Sequence, residues 1–91
     1  MQAEISINTS KKQELVDITH QVQNILSESK IDQGICNIFC KHATGAIIIN
    51  ENYDPNICLD LLDSLNDLIP NGKWRHDKVD GNADSHIKSS I

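Results

Sequence analysis

At 91 residues the chain has room for one domain, and a domain of that size buries only roughly 60–65% of the surface its unfolded chain exposes, so support from a partner chain fits. A single Phe, Tyr and Trp leave the core to Ile, Leu and Val, and a formal net charge of −5 argues against the basic field of a nucleic-acid or anionic-membrane binder. No apolar stretch reaches the about 18 residues of a membrane span, the N-terminus lacks a signal-peptide core, and three cysteines without zinc-finger spacing suit reduced thiols in the cytoplasm.

Ala3, Ile5 and Ile7 alternate with polar residues and predict a strand with one covered face. Residues 9–12 break that pattern as a loop. Ile18, Val22, Ile25 and Leu26 then share one face of a predicted helix, with Asp17 or Thr19 as its cap, and residues 27–29 and Gly34 mark its end. Two short, β-branched-rich runs follow, residues 35–39 and 46–49, which read as buried strands. Between them lies Lys41-His42-Ala43-Thr44-Gly45, a polar and small junction on the rim of the expected core. Pro55 suits a first helical turn, and Ile57, Cys58, Leu61, Leu62, Leu65, Leu68 and Ile69 recur at helical spacing until Pro70-Asn71-Gly72 stops them. Residues 73–78 form a basic stretch with one Trp. Asp80-Gly81-Asn82 then predicts a turn, and Asn82 the cap of a last helix from Ala83, within whose pattern the chain stops at Ile91.

His42, His76 and His86 are the first candidate constellation, because neutral imidazole serves as metal ligand and as general base. No spacing rule unites them, and each also suits an ordinary rim position; His20 reads as solvated. The start of the last helix could hold a phosphate on free backbone N–H groups, with Lys73, Arg75, Lys78 or Lys88 adding charge, or could be a plain capped surface helix. Cys36 and Cys40 share a strand side with His42 and could join it on zinc, although buried free cysteine, the reading given to Cys58 as well, explains them more simply. Glu51 could be a base, a metal ligand or a partner orienting a histidine, or a solvated strand end. Thr44 could bond a ligand oxygen or close the turn.

The run H-A-T-G-A-I-I-I-N-E-N at residues 42–52, then Asp54-Pro55, the helix ending at Pro70, His76, and D-G-N-A-D-S-H-I-K-S-S at residues 80–90 together resemble the YjbQ-like family, named for secondary thiamine-phosphate synthase activity. The resemblance covers nearly the whole chain in the right order. Gly45 stands where Ala is more usual, and Asp84-Ser85 precedes His86 where a pair such as His-Ala is common. Family members continue into further strands, so the resemblance implies a single domain over residues 1–91 without its C-terminal part.

It also implies an α+β fold of two packed, mainly antiparallel sheets with flanking helices, assembled as a homotrimer. A divalent metal, zinc or magnesium, would lie near His42, His76 and His86. The implied reaction joins a hydroxymethylpyrimidine diphosphate to a thiazole phosphate and releases diphosphate. His42, Glu51 and His86 would then be catalytic, while Thr44, Arg75, Asn82 and Lys88 would bind substrate. The rival expectation is a non-catalytic metal- or small-ligand-binding oligomer.

Overall fold

The computed structural model describes residues 1–91, which form helices α1 (Thr19–Ser29), α2 (Pro55–Leu68) and α3 (Ala83–Ser89), with a 3-10 turn at Arg75–Lys78 between the last two. Two units divide the chain, Met1–Asn37 and Ile38–Ile91.

In the first unit the helical spacing is realised by α1, where Val22 and Ile25 are half-buried and Leu26 is exposed. Ile18 holds the cap position, and Asp17 accepts the Thr19 N–H on its Oδ1 at 2.9 Å. Thus the anticipated acid does satisfy an orphan donor of the first turn, from one residue further out. The helix ends where Lys30 turns left-handed at φ 57° and its N–H reaches the Ser27 carbonyl at 3.4 Å.

In the second unit α2 follows its local signals closely. Pro55 stands at the start, and Asp54 accepts the Asn56 N–H on Oδ1 at 2.9 Å, the N-cap bond that an acid before a helix supplies. Ile57, Cys58, Leu61, Leu62 and Leu65 lie half-buried along one face and Ile69 is buried, while Leu68 stays exposed. Ile69 and Ala83 are the buried hydrophobic residues of the chain, and Asp84 is its buried charged residue.

The expected α+β fold is corrected by this structure: it has helices and no β-strand. The runs at residues 3–7, 35–39 and 46–49 are not strands and meet no sheet partner. Their composition favours the extended state, but a strand is completed only by a second segment that takes up its N–H and C=O groups. No ladder forms here, and the apolar side chains of the runs therefore lie open, Ile35 at 98%, Phe39 at 78% and Ile49 at 99% of full exposure. No helix is long and apolar enough to cross a membrane.

Candidate functional site

His42 and Thr44 form a local lock. The His42 carbonyl accepts the Gly45 N–H at 3.5 Å, closing a turn over residues 42–45. Within that turn the Thr44 backbone N–H donates to His42 Nδ1 at 3.1 Å, and Thr44 Oγ1 lies 2.9 Å from the same nitrogen. Thr44 therefore both closes the turn and orients the ring. Gly45 has a packing reason: a Cβ at that position would sit 2.9 Å from Cys40 Sγ.

The turn is tied to α3. Ser89 donates its hydroxyl to the Ala43 carbonyl at 2.6 Å and lies 3.0 Å from the His86 carbonyl in its own helix. One turn earlier on α3, the His86 ring meets that of His76 edge to face, with centroids 5.1 Å apart and planes at 90°. His76 stands on the 3-10 turn, its Nε2 3.5 Å from Asp80 Oδ2. Two of the three candidate histidines are thus in direct ring contact, and the third rides on a turn hooked to the same helix.

Asp77 fixes the loop that brings His76 to His86. Its Oδ2 accepts the Trp74 N–H at 2.9 Å and its Oδ1 accepts the Ala83 N–H at 3.0 Å, so one carboxylate closes the 3-10 turn and caps the first residue of α3. The expected cap, Asn82, occupies the cap position without a side-chain bond, and its Oδ1 is buried without a partner. Trp74 is pinned from the other side, donating its indole N–H to the Pro70 carbonyl at 2.7 Å.

Beneath the loop lies a polar network. Asn71 donates to Asp84 Oδ1 at 2.9 Å and to the Gly81 carbonyl at 3.1 Å. The Lys88 ammonium lies 3.1 Å from Asp84 Oδ2 and 2.8 Å from Asn66 Oδ1, with the Lys88 and Asp84 side chains only 10% and 5% exposed. This places Lys88 in a buried ion pair within α3, and its hydrogen bond to Asn66 joins that helix to α2. Arg75 is exposed on the 3-10 turn. Glu51 folds back on the loop before α2, its Oε2 accepting the N–H groups of Tyr53 at 2.8 Å and Asp54 at 3.4 Å.

No three His, Cys, Asp or Glu side chains of this chain come together as a metal-ligand group. The residues present, His42, His76 and His86 among them, do not by themselves fit the divalent ion that the resemblance implies. Asp77, Asn71 and Ser89 carry the geometry and were not singled out as candidates. Asp77 had one legible signal, an acid three residues after Trp74, the spacing at which a side chain reaches back to a turn's first N–H.

A loop clamped by one carboxylate brings the His76 ring on the 3-10 turn against the His86 ring on α3, which makes this the candidate site of the chain. The family model for UPF0047 protein YjbQ-like matches residues 3–91, and the chain belongs to that family. It is 46% identical over 85 residues to UPF0047 protein MJ1081 of Methanocaldococcus jannaschii, covering 93% of this chain and 61% of that protein. It is 38% identical over 89 residues to UPF0047 protein YugU of Bacillus subtilis, covering 94% and 65% of the two chains. A UPF0047 protein of Methanothermobacter thermautotrophicus is 39% identical over 89 residues, covering 97% of this chain and 62% of its own. The chain thus spans less than two thirds of the length of these relatives. No solved structure matches it.

Proposed function

We propose that the chain supplies part of a transferase site for small phosphorylated molecules, with the thiamine-phosphate synthase reaction as the specific activity. In that reaction a thiazole ring nitrogen bonds to the hydroxymethylpyrimidine carbon as the bond from that carbon to diphosphate breaks, and diphosphate departs. The observation that carries the reading is the contact between the His76 and His86 rings at 5.1 Å on a clamped loop. Imidazole N–H groups held at a fixed rim can donate to phosphate oxygens and stabilise the charge that develops on the leaving diphosphate. Arg75 adds positive charge to the same turn as His76. Exposed apolar side chains support self-assembly, with the homotrimer as the proposed form, and the free thiols of Cys36, Cys40 and Cys58 suit a reducing compartment, the cytoplasm.

Full-length protein supplied with the two precursors should yield thiamine phosphate, followed by chromatography. His76→Ala and His86→Ala should each lower the rate by about 100-fold, the usual loss for removal of one donor to developing charge. Unchanged rates in both variants, or no product from the unaltered protein, would defeat the assignment.

A second reading, a non-catalytic binder of small phosphorylated ligands, is favoured by Glu51, whose Oε2 is engaged by backbone N–H groups. Saturable diphosphate binding without turnover would select it.

A further inference from the structure

We propose that His42 meets its ligand through a protonated Nε2, as a hydrogen-bond donor to an oxyanion, and is not a metal ligand. The inference rests on the preceding reading only for the identity of the anion. The donor state itself follows from the turn geometry.

Thr44 N lies 3.1 Å from His42 Nδ1, and a backbone N–H can only donate. Nδ1 must therefore present its lone pair to that bond. A neutral imidazole carries one proton, so with Nδ1 accepting, the proton resides on Nε2. The Thr44 hydroxyl at 2.9 Å can donate to Nδ1 as well, which adds to the same preference. To coordinate a metal through Nε2, the ring would have to move its proton to Nδ1 and set it against the Thr44 N–H. To coordinate through Nδ1, it would have to break both contacts to Thr44. Metal-bound histidines show the opposite arrangement, with the second ring nitrogen donating to a carboxylate, a carbonyl or water.

The position suits an oxygen ligand. His42 is an exposed residue, and with Nδ1 taken up by the turn, Nε2 is the ring nitrogen left for a ligand. Ser89 fixes the Ala43 carbonyl at 2.6 Å, so the turn that aims the ring is anchored to the helix carrying His86. The absence of any three-residue ligand group agrees with this chemistry without being needed for it.

The test uses full-length protein labelled with nitrogen-15 in histidine, with ring nitrogens read by long-range proton–nitrogen correlation and His42 identified by its loss in His42→Gln. The expected spectrum has a neutral His42 ring protonated on Nε2 and unprotonated on Nδ1. Inorganic diphosphate should then shift the Nε2 resonance, and zinc titration should leave His42 without a metal-bound signature. His42→Ala should weaken diphosphate binding about tenfold or more, as loss of a charge-assisted bond does. His42→Gln, which keeps an amide N–H near the Nε2 position, should recover part of that loss, whereas a metal site would not be rescued. A ring protonated on Nδ1, or cadmium coupling to either His42 nitrogen, overturns the proposal. A correct tautomer with no response to diphosphate overturns the oxyanion assignment. Failure to form thiamine phosphate, with the tautomer and the diphosphate response intact, counts only against the synthase activity.

Discussion

Asp77 holds two backbone donors that belong to different elements, because Trp74 opens the 3-10 turn and Ala83 opens α3. Asp77→Asn keeps one acceptor oxygen and turns an amide N–H toward the other donor, a change expected to cost about 1–3 kcal/mol. Amide exchange should quicken at Trp74 or Ala83, and Trp74 fluorescence should shift; unchanged exchange at both sites would show that the clamp is not needed. Gly45 gives a second, tighter case. A Gly45→Ala methyl would press on Cys40 Sγ at 2.9 Å, so the variant should lose stability by about 1–3 kcal/mol if the thiol cannot swing aside. Adding Cys40→Ala should restore most of that loss in denaturant titration, and equal losses with and without the thiol would place the strain elsewhere. At this scale the sequence pointed to His42, Thr44, His76 and His86 through residue type, their places at expected element ends, and the family resemblance. It could not reveal that Thr44 occupies Nδ1, since a two-residue contact depends on the turn's dihedral angles rather than on spacing.

Elements divide by how local their causes are. The register of α2 was legible because Asp54, Pro55 and the apolar spacing act within a turn or two of themselves. The strands were misread for the converse reason: residues 35–39 and 46–49 have strand composition, but pairing depends on segments remote in sequence. Between α2 and α3 the decisive link is the Lys88 ammonium, which pairs with Asp84 within α3 and donates to Asn66 on α2; the i,i+4 spacing of the pair is local, but its burial and the reach to Asn66 depend on how the two helices meet. Lys88→Met should be strongly destabilising, by about 3–5 kcal/mol, because it leaves the Asp84 carboxylate buried without its counter-charge. The double variant Lys88→Met with Asp84→Asn should be more stable than Lys88→Met alone when compared by denaturant midpoint. If Lys88→Met is instead neutral in stability but weakens phosphate binding, Lys88 belongs to the ligand and the structural role fails.

The whole molecule is short of buried apolar surface. Ile69 and Ala83 are its buried hydrophobic residues, whereas Ile35, Phe39, Ile48, Ile49, Tyr53 and Val79 are more than half exposed. Burial of apolar area is the main favourable contribution to folding, at roughly 25 cal/mol per Å², so a 91-residue chain in this state has much to gain by covering those groups with another surface. The chain is therefore expected to self-associate with rising concentration in sedimentation velocity and to bind a hydrophobic dye. Phe39→Ser combined with Ile49→Lys should reduce both signals, since these two side chains stand among the most exposed apolar groups. The charge of −5 opposes association, and its effect weakens as salt is added. Association that strengthens with salt and falls in the double variant would assign the driving force to apolar burial. A monomer that binds no dye at any concentration would mean that these side chains find cover within a single chain.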